Sequence, residues 1–148
     1  MRLFIASCFL LLTSLSFADT QGEQKQVFGE YEVHFMGLTS NELDKDVAKL
    51  YGITRSRAIG FLNVSVLKKG QGPLPVAWNA KIEGSMFNLI GQSQALSFTR
   101  VQETSALYFY STFDFYDQDM YRFHLKVTPD GETRAYDVKF SQRFYRGE

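Results

Sequence analysis

The chain has a single cysteine, Cys8, and it lies inside an apolar N-terminal run. The domain that follows has neither a disulfide to brace it nor a thiol for nucleophilic or redox chemistry. Histidine is scarce too: His34 and His124 stand far apart, and with no thiolate beside them they do not make a zinc site. Sixteen basic residues balance sixteen acidic ones with no block of either sign, which argues against nucleic acid as a partner. The Gly-x-Ser-x-Gly nucleophile elbow is missing, since Gly84-Ser85 lacks its second glycine. Past residue 18, no apolar stretch approaches the roughly 20 residues that span a bilayer.

What is present begins with an address. Met1-Arg2 supplies a positive charge, Leu3 to Leu15 is mostly apolar, and Ser16-Phe17-Ala18 places small residues where a signal peptidase reads them. Residues 1–18 read as a cleaved secretory leader. Ile5-Ala6-Ser7-Cys8 looks like a lipoprotein box, but the apolar run continues past it and too little precedes it. Removing the leader takes Arg2 with it and leaves 130 residues, with 15 basic side chains against 16 acidic and a formal charge of −1. A chain of that size makes one domain that needs no metal or disulfide to fold. An exported domain without cysteine points to a bacterial periplasm.

Residues 19–26 are polar and read as a flexible tail; 27–148 read as the domain. From Val27 the apolar residues recur with a period of two, the signature of strands. Tyr31, Val33 and Phe35 alternate with polar neighbours, as do Gly60, Leu62, Val64 and Val66, and Val76, Trp78, Ala80 and Ile82. Further strands are expected near 92–102, 105–116, 120–128 and 133–144. The expected fold is an all-β, immunoglobulin-like antiparallel sandwich of about seven strands. One short helix, near 41–51, interrupts it after the first strand. Thr39 with Glu42, or Asn41 with Asp44, would cap that helix, Gly52 would end it, and Leu43, Val47 and Leu50 would pack over one end of the sandwich.

Parity suggests a hairpin from 105–116 to 120–128 with Asp117-Gln118-Asp119 as its loop. Phe115 then faces Tyr121, Phe113 faces Phe123 and Phe109 faces Val127 on the core side. The other side would gather Tyr108, Tyr110 and Tyr116 with Arg122, His124 and Lys126. That composition suits a partner-binding face, or tyrosines lying under a neighbouring loop or the helix. The next turn, Thr128-Pro129-Asp130-Gly131, leads into Tyr136, Val138 and Phe140 as core residues.

Two further segments could hold a small ligand. Thr54, Arg55 and Arg57 follow the helix, where they could bind a carboxylate or answer the helix dipole. Asn88 and Gln92 flank Gly91 in a turn, where amides could meet a ligand or bond the turn's own backbone. The histidines lie on polar sides of strands with no nucleophile in view. Asp114, Asp117 and Asp119 lack calcium-loop spacing, so no metal and no cofactor is expected.

Tyr51-Gly52-Ile53-x-Arg55-Ser56, Leu62-Asn63-Val64-Ser65-Val66-Leu67, Asn88-Leu89-x-Gly91-Gln92 and Leu107-Tyr108-Phe109-Tyr110 resemble the domain-of-unknown-function family 4426, over nearly the whole mature chain. The resemblance implies a periplasmic immunoglobulin-like sandwich in a Gram-negative cell and brings no activity or catalytic residue with it. Taken together, the residues favour a non-enzymatic periplasmic binding or accessory module using the tyrosine/basic face. The alternative is a small-ligand binder or enzyme near the Arg55 loop and the Asn88–Gln92 turn.

Overall fold

The computed structural model describes residues 24–147; the leader, its cleavage site and Cys8 lie outside them. Among the described residues, ten strands form two antiparallel sheets. The larger sheet contains β1 (Gln24–Phe28), β2 (Tyr31–Thr39), β3 (Ile59–Lys68), β8 (Ala106–Asp114) and β7 (Thr99–Glu103) in that order, with β4 (Val76–Ala77) also paired to β3. The smaller sheet runs β10 (Tyr136–Arg143), β9 (Met120–Pro129), β5 (Ala80–Phe87) and β6 (Ser93–Leu96). The all-β sandwich expected from the period-two pattern is the fold.

Alternate residues of the central strands face inward, as a two-layer fold requires. Val33, Phe35, Leu62, Val64, Val66 and Phe109 from one layer meet Met86, Phe123, Leu125, Val127 and Val138 from the other, all buried. Four phenylalanines stitch the layers together. Phe35 stacks on Phe140 at 4.2 Å, Phe140 on Phe123 at 4.7 Å, and Phe123 meets Phe113 edge-on at 5.5 Å.

Four expectations about the chain path are corrected. The segments near 76–82 and 92–102 are not single strands. Each leaves one sheet and enters the other, at Trp78-Asn79 and at Ser97-Phe98. Both halves still pack on the same core, so the apolar alternation runs through the crossing and hides it. Hydrogen bonds hold the first crossing: the Trp78 indole N–H donates to the Asp130 carbonyl at 2.9 Å, and the Asn79 amide donates to the Asp130 carboxylate at 2.8 Å. Second, Gln24, Lys25 and Gln26, read as tail, belong to β1 and pair with Phe35, His34 and Val33. The helical region accordingly follows the second strand.

Third, the hairpin between β8 and β9 does not form. β8 pairs with β3 and β7, whereas β9 pairs with β5 and β10, so residues 115–119 arch from one layer to the other. The inward residues were identified correctly, because Phe109, Phe113, Phe115, Tyr121, Phe123 and Val127 are all buried. Phe113 and Phe123 do meet, but across the core and not side by side. The β9–β10 hairpin forms as expected, with Tyr136 opposite Val127 and Val138 opposite Leu125.

Fourth, the helix is shorter and differently packed. A 3₁₀ turn (Ser40–Glu42) precedes α1 (Lys45–Leu50), and the Asp44 carboxylate caps α1 by accepting from the N–H groups of Asp46 and Val47. The Glu42 carboxylate accepts from the Thr39 N–H at 2.7 Å. The break at Leu43-Asp44 takes Leu43 out of the helical repeat, and the stripe does not bury: Leu50 is 73% exposed, and Ala48 alone of α1 is buried. A small side chain lets the helix lie close to the sheet. Leu50→Ala is therefore expected to change the unfolding free energy by less than about 0.5 kcal/mol, the range of surface substitutions. Thermal unfolding checks this; a clear loss would mean that the stripe is covered after all.

Candidate functional site

The sandwich separates the two halves of the expected tyrosine/basic face. Tyr108 and Tyr110 lie on the outer face of the larger sheet, in the same register as Val101 and Thr99 of β7. Arg122, His124 and Lys126 lie on the outer face of the smaller sheet, opposite Ser141, Lys139 and Asp137 of β10. The arch at 115–119 places them on opposite sides of the molecule. Tyr110 is half-buried: its ring stacks on Phe61 at 5.6 Å, and its hydroxyl donates to the Tyr51 carbonyl just past α1 at 3.3 Å. It lies under the helix end, the arrangement held open as the alternative to an exposed face. Tyr116 belongs to neither face; it sits in the arch, 73% exposed.

The basic half survives as a surface. Across the smaller sheet, Phe87 pairs with Arg122 and Arg122 with Ser141, and in the next row Ser85 pairs with His124 and His124 with Lys139. His124 bonds the Asp137 carboxylate at 2.7 Å, and Lys126 approaches the same carboxylate at 3.5 Å. Arg122 and the Lys139 ammonium have no carboxylate partner among the described residues. A shallow depression of about 400 Å³ is lined by Phe87, Arg122, His124, Lys139 and Ser141, among others.

The hydrogen bond from His124 holds the Asp137 carboxyl below its ordinary value; burial pushes it the other way, and Lys126 adds to the lowering. A carboxyl depressed in the folded state favours folding above its unfolded pKa, and this contribution fades as pH falls through the folded value. His124→Gln is expected to move the Asp137 titration upward, read by carbon-detected NMR of the carboxyl. An unmoved midpoint would show that His124 is not its main partner. On the opposite sheet, Glu32 is lowered in the same way, first by its bond to His34.

The two ligand-site segments do not come together as one lined pocket. Arg55 donates to the Asn41 carbonyl of the 3₁₀ turn at 2.5 Å, a capping role. The Thr54 carbonyl accepts from the buried Ser40 hydroxyl at 2.8 Å. Neither these residues nor Arg57 line the three clefts described here. Asn88 and Gln92 instead clasp each other. The Asn88 side-chain amide donates to the Gln92 side-chain oxygen at 2.7 Å, the Gln92 N–H donates to the Asn88 side-chain oxygen at 2.9 Å, and the Asn88 N–H donates to the Gln92 carbonyl at 3.0 Å. Gly91 supplies the left-handed φ of 84° that the turn needs. This rigid clasp holds Leu89 and Ile90 in solvent, 69% and 80% exposed. Sequence reasoning singled out the turn for its amides and passed over these two aliphatic residues, although their position between Asn88 and Gly91 was visible.

Asn88 and Gln92 also line a cleft of about 470 Å³ at one end of the sandwich, with Ala58, Met86, Ser93, Gln94, Asp114, Phe115, Tyr116, Tyr121 and Arg146. Tyr121 and Arg146 did not figure as site residues in the sequence, because only the arch and the C-terminal segment bring them here; Ser93 and Gln94, just past the turn, were passed over as well. Arg146 donates to the Phe115 carbonyl at 2.9 Å, while its buried Nε has no partner. A further groove of about 350 Å³ lies between β2 residues Met36–Thr39 and the C-terminal segment, bridged by Gln142, which donates to the Gly37 carbonyl at 2.9 Å. Among the described residues, no three His, Cys, Asp or Glu side chains gather as a metal site would require, and no helix is long and apolar enough to cross a membrane.

Comparison with known proteins places this architecture. A family model described as a domain of unknown function (DUF4426) matches residues 25–147. The crystal structure of a DUF4426 family protein from Pseudomonas aeruginosa PAO1 is similar with a TM-score of 0.74 and 35% identity, covering 87% of this chain and 99% of that one. A copper-bound variant of FetP from uropathogenic Escherichia coli strain F11 is similar at a TM-score of 0.59 with 10% identity, over 82% of this chain and 93% of that one. The 'as isolated' form of the F11 FetP, recombinantly expressed in the periplasm of E. coli BL21(DE3), gives 0.52 and 13%, over 82% and 91%. At such identities the FetP likeness extends to the fold alone. No curated protein matched the sequence. The family model spans almost every described residue, and the Pseudomonas relative is matched over nearly its whole length: the chain belongs to the DUF4426 family.

Proposed function

We propose that the protein is an exported, non-enzymatic binding module that docks a periplasmic partner protein at one end of its smaller sheet. The observation that carries this reading is the clasped Asn88–Gln92 turn. Two large aliphatic side chains stand in solvent on a turn braced by its own hydrogen bonds, so a partner would cover them without first having to order them. The row of β-strand residues just before that turn holds Phe87 beside Arg122, with Lys139 one row further on. Apolar anchors next to cations without counter-ions suit a partner surface that is apolar at its centre and acidic at its rim. Export is supported by the leader pattern of residues 1–18. The non-enzymatic part of the reading is supported by the missing Gly-x-Ser-x-Gly elbow and by the lack of any cysteine after Cys8. The copper of the FetP variant belongs to that protein and is not extended to this one.

Crosslinking in living cells tests the reading. A photo-reactive residue in place of Leu89 should give a discrete adduct that is absent when the same residue replaces Gln71 in the exposed loop before β4. Arg122→Glu in the Leu89 background should reduce that adduct about tenfold or more, as expected when a charge at an interface rim is reversed. No adduct at Leu89, or the same adducts from Leu89 and Gln71, would refute the docking surface.

A further inference from the structure

The cleft at the end of the sandwich has a chemistry that the docking reading does not use. Its floor is apolar, with Met86 and Phe115 buried. Its walls carry one cation, Arg146, and one anion, Asp114, and the two do not form an ion pair with each other. Each has unspent capacity. One guanidinium nitrogen of Arg146 donates to the Phe115 carbonyl, but its Nε–H is buried with no acceptor. A buried donor without a partner costs about 1–3 kcal/mol, and native structures rarely leave one without a reason. The Asp114 carboxylate has neither an ion pair nor a hydrogen bond among the described residues, although it lines the same cleft. The Tyr121 hydroxyl accepts from the Tyr116 N–H at 2.9 Å and has no acceptor for its own proton among the described residues. Gln94 and Ser93 add further uncommitted polar groups.

An unpaired cation and an unpaired anion in one cleft call for a ligand that carries both charges. We propose that this cleft binds a small zwitterion with a carboxylate and an ammonium group, of amino-acid or dipeptide size. Arg146 receives the carboxylate, as guanidinium groups do with a planar two-oxygen acceptor. Asp114 receives the ammonium, the Tyr121 hydroxyl donates to a ligand oxygen, and Met86 and Phe115 meet the apolar part. A volume near 470 Å³ lies within the range of small-molecule sites. The charged and apolar groups of the site pack around the arch and do not include Leu89 or Ile90, although Asn88 and Gln92 of the same turn border the cleft.

The test is NMR titration of the isotope-labelled protein with the common free amino acids, taken singly to millimolar concentration, and with simple dipeptides. At least one should produce saturable shifts confined to residues 86–94, 114–121 and 145–147. The N-acetyl derivative of that ligand has lost its ammonium and should bind about tenfold or more weaker, and Asp114→Asn should weaken the parent ligand by a similar factor while leaving the derivative unaffected. Asp114 is exposed and unbonded, so this variant keeps the fold. Arg146→Met should abolish the shifts, with resonances of the β9–β10 hairpin serving to verify its fold. The proposal is overturned if no amino acid or dipeptide shifts these residues. It is equally overturned if parent and N-acetyl ligand bind alike to wild type and to the Asp114→Asn variant. A positive titration with a negative Leu89 crosslink would separate this site from the docking surface.

Discussion

Phe123→Ala is expected to lower the unfolding free energy by about 3–5 kcal/mol, the range for a fully buried aromatic cut to a methyl group. Phe123 is 1% exposed and stands where the layers join. It lies parallel to Phe140 at 4.7 Å, meets Phe113 of the opposite sheet at 5.5 Å and approaches Phe144 of the C-terminal segment at 6.0 Å. Because its neighbours come from β8 in one layer and from β10 and the residues just after it, no single element can move in to fill the space. Domains of this size are stable by about 5–15 kcal/mol, so the variant should lose a large share of that margin. Equilibrium urea unfolding would show it as a lower midpoint with an unchanged slope. A loss under about 1 kcal/mol would mean that the layers do not depend on this ring.

The second large effect comes from adding an atom. Gly60 pairs with Phe113, whose ring folds over the bare Cα; a Cβ there would sit 2.9 Å from the ring Cδ2 and closer still to the outer ring atoms. The ring cannot retreat, because Phe123 and Phe144 pack against it. Gly60→Ala should therefore destabilise by about 1–3 kcal/mol through overpacking, measured by the same unfolding curves. Gly70→Ala and Gly72→Ala are the controls: an added Cβ meets nothing within 4 Å at either site, and both should stay within about 0.5 kcal/mol of wild type. Equal losses at Gly60 and Gly70 would point to a general intolerance of alanine in place of glycine, and not to the Phe113 contact.

The same packing explains why the candidate sites lie where they do. The arch from Phe115 to Asp119 closes one end of the sandwich, and Arg146 from the C-terminal segment is laid against it, its backbone N–H on the Asp117 carboxylate at 2.8 Å. The β5–β6 turn projects at that end as well, so Asn88 and Gln92 line the cleft with their side chains while Leu89 and Ile90 face solvent. The turn thus borders both the cleft and the exposed Leu89–Ile90 tip, and the Asn88–Gln92 clasp braces it for either proposed role.

The amino-acid sequence by itself determined the fold class and, in the central strands, which residues face the core; at the edge it did less well, since Val76 is 50% exposed. The period of two is a property of each strand relative to the interior, and Tyr31, Val33, Leu62, Val64, Phe109, Phe123 and Val138 follow it without exception. The turn signals were equally local: Gly52 and Gly91 adopt positive φ where a helix and a strand pair end. Only the tertiary structure decided which strand neighbours which. A strand that folds back beside its predecessor and one that arches into the facing layer bury the same alternate residues, so parity cannot tell a hairpin from an arch. That one ambiguity put Tyr110 and Arg122 on opposite faces, and it brought Asp114, Tyr121 and Arg146, far apart in the chain, to the walls of one cleft. The short helix failed for a related reason: its apolar spacing was real, but Asp44 capped it late and the sheet accepted only Ala48. Facing is written in local periodicity, whereas partnership is settled by which packing of the whole chain leaves the least apolar surface in water.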